Sequence, residues 1–250
     1  MLSKKYILGV NLKMYMNGKT THDWVMTLKS GIEKLSTNNI EMFILPSAPL
    51  LQETIQSVKG TALSVGAQNC STEQDGALTG EVSPKLLKEI GCRYVLVGHH
   101  ERRTKFSESN AVINKKILAI LANQLKPILC IGETEVISLQ VAESEIEEQL
   151  NYSLMNVNPQ SEVIIAYVPT WSIGAENPAS LVHINQMCNL IRKILENLGF
   201  QNYSIIYGGT AGEGLLSHIN NYCDGLFLGR RVHNPKNFVK IVKECMELQT

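Results

Sequence analysis

The sequence has no excess of charge of either sign, because 23 Lys and Arg residues are matched by 23 Asp and Glu residues among 250. A balanced surface of this kind argues against nucleic acid or an anionic membrane as a partner. No stretch approaches the roughly 20 apolar residues that a membrane-spanning helix needs. The apolar run near the N-terminus, Tyr6–Val10, is too short for the core of a signal peptide. We therefore expect a cytoplasmic protein that binds neither nucleic acid nor membrane.

Cysteine patterns that bind metal are also missing. The 6 Cys residues include no CxxC pair and no Cys/His spacing typical of zinc sites. We therefore expect no metal site, and reduced thiols in a reducing compartment. The cysteines are scattered along the chain at Cys70, Cys92, Cys130, Cys188, Cys223 and Cys245.

The chain also lacks low-complexity segments and linker-like tracts, and it shows instead a regular recurrence of short apolar runs. Nearly continuous apolar runs of this length are typical of strands that are buried on both faces of a parallel sheet. The eight runs are Tyr6–Leu12, Glu41–Leu45, Leu63–Ala67, Tyr94–Gly98, Pro127–Ile131, Val163–Tyr167, Ser204–Tyr207 and Gly225–Leu228.

Segments with helical periodicity lie between the apolar runs. The clearest is Ser180–Leu198, which Gly199 follows as a C-terminal cap. A second apolar stripe runs from Leu139 to Leu150. The other two predicted helices are Asn110–Asn123, entered through Ser107–Ser109, and Pro235–Leu248, which starts with proline in its first turn.

Eight repeats of strand and helix in this length predict an α/β fold, a closed (β/α)₈ barrel that forms a single domain over residues 1–250. A doubly wound open sheet is the alternative. It normally has fewer strands and a glycine-rich turn after the first one, whereas here Asn11-Leu12-Lys13 follows the first strand. The barrel is therefore favoured.

The carboxyl ends of barrel strands carry the chemistry of such folds. Asn11 and Lys13 follow the first predicted strand, and His99 and Glu101 follow the fourth. Glycines follow the seventh and eighth strands, where bare backbone N–H groups can approach phosphate oxygens. The positions of these residues after the predicted strands therefore predict a site that binds a phosphorylated small molecule beside a lysine and a histidine.

Seven segments then resemble motifs of the triosephosphate isomerase family, in the family's order and over almost the whole chain. The resemblance implies a metal-free, cofactor-free isomerase that interconverts an aldose phosphate and a ketose phosphate through an enediolate. The segments are Asn11–Met14, Ala67–Asn69, Gly76–Ser83, Gly98–Arg103, Cys130–Thr134, Ala166–Gly174 and Tyr207–Gly209.

The resemblance also assigns roles to individual residues. Lys13 resembles the cation that stabilises phosphate and oxyanion, His99 the neutral imidazole that polarises the carbonyl, and Glu101 the acid tied to that lysine. Asn11 resembles a polar substrate contact. Phosphate-binding roles are implied for Gly174, Gly208, Gly209, Thr210, Gly229 and Arg230. The segment Cys70–Thr79 resembles the loop that inserts into a second subunit, which favours a homodimer.

The sequence departs from the family at the catalytic base, where Val168 stands in place of glutamate. Valine cannot move a proton, and loss of a positioned general base typically costs about 10²–10⁴-fold in rate. Arg230 stands where a second phosphate-loop glycine is expected. A guanidinium suits a phosphate, and a Gly-Arg pair here resembles relatives that act on tetrulose phosphates. Smaller departures lie at Leu12, Tyr15, Glu176 and Asn177.

Three hypotheses follow from this departure. The first is an isomerase of the triosephosphate type that has lost its base. The second is an isomerase of another small sugar phosphate, such as a tetrulose phosphate, in which Glu176, Glu133 or a water takes the proton. The third is a catalytically silent relative that binds phosphate.

Overall fold

Eight parallel strands close into a barrel in sequence order in the computed structural model, which describes residues 5–249. The first strand pairs with both the second and the eighth, so the sheet has no free edge. Each strand lies within a residue or two of a predicted apolar run, and the predicted barrel is confirmed. The strands are β1 (Tyr6–Asn11), β2 (Ile40–Leu45), β3 (Leu63–Ala67), β4 (Tyr94–Val97), β5 (Lys126–Ile131), β6 (Val163–Tyr167), β7 (Tyr203–Tyr207) and β8 (Gly225–Leu228).

The helices surround the strands. They are α1 (Gly18–Ile32), α2 (Leu51–Ser57), α3 (Pro84–Ile90), α4 (His100–Lys105), α5 (Asn110–Ala122), α6 (Leu139–Ser153), α7 (Leu181–Asn197), α8 (Leu216–Ile219) and α9 (Pro235–Glu247). Single 3₁₀ turns lie at Ala48–Leu50, Thr170–Ser172 and Arg230–Val232.

All four predicted helices are present; three have bounds within one residue of those predicted, and α6 continues three residues beyond Leu150. The side chains of Ser180 and Ser109 cap α7 and α5 by accepting hydrogen bonds from backbone N–H groups three residues on. Gly199 follows α7 with a φ of +82°, a conformation in which glycine is favoured because it lacks a Cβ. Pro235 occupies the first turn of α9 behind the capping side chain of Asn234.

The apolar core has two parts, as expected for strands buried on both faces. The larger cluster lies between strands and helices and includes Leu28, Ile117 and Phe238. A separate cluster fills the barrel interior, where Phe43 stacks on Tyr94 with ring centroids 4.6 Å apart. A Cβ at Gly9 would overlap the ring of Phe43, so a glycine in β1 is what admits this large side chain.

None of the helices in residues 5–249 combines the length and apolar character that a membrane crossing requires.

Candidate active site

A pocket of about 380 Å³ opens at the carboxyl ends of the strands, where the sequence predicts the site. Glu101 and Gly209 do not line the pocket, although both were predicted at the site. The structure brings the other predicted residues together around it: Asn11, Lys13, His99, Val168, Gly174, Gly208, Thr210, Gly229 and Arg230.

The backbone of Lys13 lies in the left-handed region, with a φ of +51°. This conformation is uncommon for a residue with a side chain, and surrounding contacts must hold it. The Lys13 carbonyl accepts hydrogen bonds from Ser47 Oγ at 2.9 Å and from Gln68 Nε2 at 2.8 Å. The Lys13 N–H donates to Asn11 Oδ1 at 2.9 Å. Three side chains from three strand ends therefore fix this turn.

The ammonium of Lys13 donates to the carboxylate of Glu101 at 2.7 Å. Burial alone would raise the pKa of Glu101, but the hydrogen bond from Lys13 and the nearby histidines outweigh it and lower the pKa. Glu101 is thus an anion that positions the lysine from behind the pocket.

His99 lines the pocket and is only 6% exposed. Its Nδ1 accepts a hydrogen bond from the Glu101 backbone N–H at 3.3 Å, which leaves the proton of the neutral ring on Nε2. Burial, together with the positive charge of Lys13, lowers the pKa of His99 to about 4. The side chain is therefore a neutral hydrogen-bond donor at pH 7.

His100, the first residue of α4, is partly exposed and lies beside His99, with ring centroids 5.0 Å apart. Within residues 5–249, His99, His100 and Glu101 form the one group of three whose metal-ligand atoms lie within 4.8 Å of each other. The ammonium of Lys13 already pairs with the Glu101 carboxylate of this group. The group therefore suits that ion pair better than it suits a metal ion.

The opposite end of the pocket is cationic. Arg230 lies against the loop after β6, residues 168–180, because a Cβ at Gly174 would overlap its guanidinium. Arg231 donates to the carbonyl of Glu176 in the same loop. The Gly174 N–H donates to Thr210 Oγ1 at 3.1 Å. The two arginines and the threonine therefore connect the loop after β6 to the loops after β7 and β8.

A buried carboxylate anchors the base of the same loop. Glu133 has no exposed surface and accepts hydrogen bonds from Trp171 Nε1 at 3.0 Å and from Tyr167 at 3.1 Å. His183 Nε2 lies 2.8 Å from the same carboxylate. The indole of Trp171 is thereby tied to the buried Glu133 carboxylate. No sequence pattern pointed to His183, which reaches Glu133 from the next helix, α7.

Val168 occupies the wall of the pocket and is 7% exposed. Its side chain packs against Gly208, where an added Cβ would lie 2.8 Å from Cγ2 of the valine. On the other side, a Cβ at Gly132 would overlap the backbone of Val168. Two glycines therefore make the space in which residue 168 lies.

No aspartate or glutamate appears among the described residues that line the pocket. Glu133 is committed to Trp171 and Tyr167, and Glu176 is exposed at the outside of its loop. Neither glutamate therefore takes the place that a carboxylate at position 168 would have. The described lining of the pocket therefore offers a lysine, two arginines and a neutral histidine, but no carboxylate.

The closed barrel of eight alternating strands and helices places the protein in the (β/α)₈ class. The pocket lies at the strand ends, where proteins of this class carry their active sites. The family model described as triosephosphate isomerase matches residues 6–245. The chain therefore belongs to the triosephosphate isomerase family.

Individual relatives carry two different names. The chain is 38% identical to a protein of Pectobacterium atrosepticum named L-erythrulose-1-phosphate isomerase, over 100% of this chain and 99% of that relative. It is also 38% identical to a triosephosphate isomerase of Lactobacillus delbrueckii subsp. lactis, over 96% and 98% of the two chains. A triosephosphate isomerase of Lactobacillus helveticus is 35% identical over the same shares. These relatives are isomerases, and overall identity does not separate the two names.

Proposed function

We propose that the pocket binds a small sugar phosphate and polarises its carbonyl for isomerisation through an enediolate, and that Val168 keeps this isomerisation slow. The observation that carries the proposal is the arrangement of Lys13, Glu101 and neutral His99 at one end of a pocket whose other end is cationic. Such an arrangement serves a ligand that has a carbonyl at one end and a phosphate at the other.

Each group has a definite part in this proposal. The Lys13 ammonium and the Nε2–H of His99 stabilise the negative charge that develops on the carbonyl oxygen. A neutral imidazole does this without adding a second full charge next to the lysine. Asn11 contributes a polar contact near the lysine. The phosphate lies at the guanidinium of Arg230, near Gly174, Gly208, Thr210 and Gly229. Gly209 lies outside the pocket lining, where a Cβ would overlap Ser172 Oγ and the Tyr207 ring.

Two substrate classes fit the pocket. Triose phosphates are the first, because the Lys13 and His99 positions match the family's residues. Tetrulose phosphates are the second, because the Gly229-Arg230 pair resembles relatives that act on them. The relative named L-erythrulose-1-phosphate isomerase supports this second class.

A phosphate-binding protein without catalytic activity is the other candidate function. The burial of Val168 against Gly208 and the absence of a pocket-lining carboxylate among residues 5–249 favour it. This candidate predicts ligand binding with no measurable turnover on either substrate class.

The Val168→Glu substitution tests the proposal. We expect it to raise kcat on glyceraldehyde 3-phosphate or L-erythrulose 1-phosphate by about 10²–10⁴-fold, because it restores a proton acceptor to an otherwise complete site. Val168→Gln is the matched control, since glutamine has the shape of glutamate but accepts no proton at neutral pH. The measurement is the initial rate of both variants and of the unchanged protein on each substrate.

The outcomes separate the candidates. A gain with glutamate and none with glutamine supports the isomerase proposal, and the substrate that gains most identifies the class. Equal, undetectable rates in all three proteins contradict it and leave phosphate binding. Fast turnover by the unchanged protein contradicts the claim that Val168 limits the rate.

We also propose a cytoplasmic homodimer that forms through the loop Cys70–Thr79. Residues 73–80 are exposed in the single chain, and Leu78 and Leu86 line one groove while being 43% and 57% exposed. Apolar side chains that share an exposed groove are typical of an interface. Exposed Met14 and Tyr15 follow Lys13, so a second chain covering this end would also cover the neighbourhood of the pocket.

A further inference from the structure

Two buried cysteines face each other between helix α7 and the segment that leads into β8. Cys188 lies on the inner side of α7, and Cys223 lies between α8 and β8. Both side chains are fully buried, and their sulfur atoms are 2.8 Å apart. The other four cysteines, Cys70, Cys92, Cys130 and Cys245, are also buried.

Both positions are held by the surrounding structure. Cys188 belongs to the buried stripe of α7 with Ile184 and Ile191. The backbone N–H of Cys223 donates to the carbonyl of Ile219 at 2.9 Å. Its neighbour Asp224 exchanges hydrogen bonds with the backbone of Ile205 in β7. The two thiols are therefore brought together by the fold and are not loose side chains that meet by chance.

A small movement would bring the two sulfur atoms to the distance of a disulfide bond. Bonded sulfurs lie about 2.0 Å apart, so the two atoms must approach by roughly 0.8 Å. The two sulfur atoms are therefore already in contact, with no atom between them.

We propose that Cys188 and Cys223 are a reversible dithiol–disulfide pair. The oxidant is a low-molecular-weight disulfide of the glutathione class. One cysteine thiolate attacks the small disulfide, which releases one small thiolate and leaves a mixed disulfide on the protein. The second cysteine thiolate attacks the protein sulfur of that mixed disulfide and releases the other small thiolate. The two protons lost by the cysteines are taken up by the two released thiolates.

The environment makes this exchange slow in the folded protein. The contact with Cys223, together with burial, raises the pKa of Cys188 well above that of a free thiol. The thiolate is the attacking species, so exchange needs a transient opening of α7. We therefore expect the rate to increase in low concentrations of urea.

The bond would close a loop across 35 positions of the chain and join α7 to the start of β8. Closing a loop of this size restricts the unfolded chain. We expect the oxidised protein to melt roughly 5–15 °C above the reduced protein. This inference does not depend on the proposed function, because neither cysteine lines the pocket.

The test is an equilibrium titration of the unmodified chain in buffers with defined ratios of reduced to oxidised glutathione. One series is refolded into native buffer, and a parallel series stays unfolded in urea. After acid quenching and alkylation, peptide mapping measures the fraction that carries the Cys188–Cys223 link. We expect the folded chain to form this link at a glutathione ratio at least tenfold more reducing than the unfolded chain requires.

Three variants serve as controls. Cys188→Ser and Cys223→Ser should each abolish the rise in melting temperature on oxidation, and Cys245→Ser should keep it, because Cys245 is equally buried but lies in α9. The proposal is wrong if the folded chain forms the link no more readily than the unfolded chain, or if the linked peptides join other cysteines.

Discussion

Lys13 shows how much of a site depends on contacts that are distant in sequence. Its motif makes the residue recognisable, and its ion pair with Glu101 could be predicted from that motif. Its left-handed backbone could not be predicted, because Ser47 and Gln68 hold it from the loops after β2 and β3 and share no local pattern with Lys13. Likewise, the contact between His183 and Glu133 joins residues that are 50 positions apart in the sequence.

His99 gives a prediction about stability and pH. The pKa of this histidine is about 4 in the folded chain, against an ordinary value near 6.5 in the unfolded chain. Between these two values the unfolded chain binds a proton that the folded chain does not, so stability must fall as the pH falls from 6.5 towards 4. The loss from this residue amounts to about 2 kcal/mol between pH 7 and pH 5.

Urea unfolding at pH 7 and pH 5 measures this effect. In His99→Gln the free energy of unfolding should depend less on pH than in the unchanged protein. His22, which is exposed, provides the control substitution His22→Gln, which should keep the original dependence. The same pH dependence in both variants would show that His99 titrates normally.

At the scale of elements, the strands and the longer helices were predictable because each carries its own signal. Apolar runs such as Val163–Tyr167 match β6 residue for residue, and the stripe and caps of α7 locate that helix to within one residue at each end. The short helices carry no such signal. The four residues of α8 make about one turn, which is too little for a periodic pattern, and packing against α7 and α9 determines its position.

The loop after β6 gives a prediction that can be tested with two glycines. Gly174 and Gly214 have nearly equal φ angles, +77° and +82°, so alanine strains the backbone at both. A Cβ at Gly174 would overlap the guanidinium of Arg230, whereas a Cβ at Gly214 meets no atom within 4 Å. Gly174→Ala should therefore displace Arg230 and weaken the binding of inorganic phosphate about tenfold.

Isothermal titration with inorganic phosphate measures the difference. Gly214→Ala should lose a similar amount of stability, about 1 kcal/mol, and keep the phosphate affinity of the unchanged protein. If both variants lose affinity equally, backbone strain explains the effect and Arg230 does not bind the phosphate.

For the whole molecule, the closed barrel follows from the number of strands, since eight alternating units of this length have one common solution. The oligomeric state does not follow in the same way, because an interface needs the surfaces of two chains. Light scattering after size exclusion should give about twice the 27.8 kDa mass of the chain.

The dimer prediction has a matched pair of variants. Leu78→Asp should shift the protein to the monomer, because it places a charge in the exposed apolar groove beside Leu86. Val182→Asp changes another exposed apolar residue, at the start of α7, and should leave the dimer intact. A monomeric unchanged protein, or equal dissociation of both variants, would contradict an interface at this loop.

The two glycines beside residue 168 bear on how this position can change in evolution. Gly132 leaves room for the backbone of residue 168, and Gly208 leaves room for its side chain. A valine codon that ends in a purine becomes a glutamate codon by a change of its middle base. A change between valine and glutamate at position 168 therefore takes one base change and leaves Lys13, His99 and the two glycines in place.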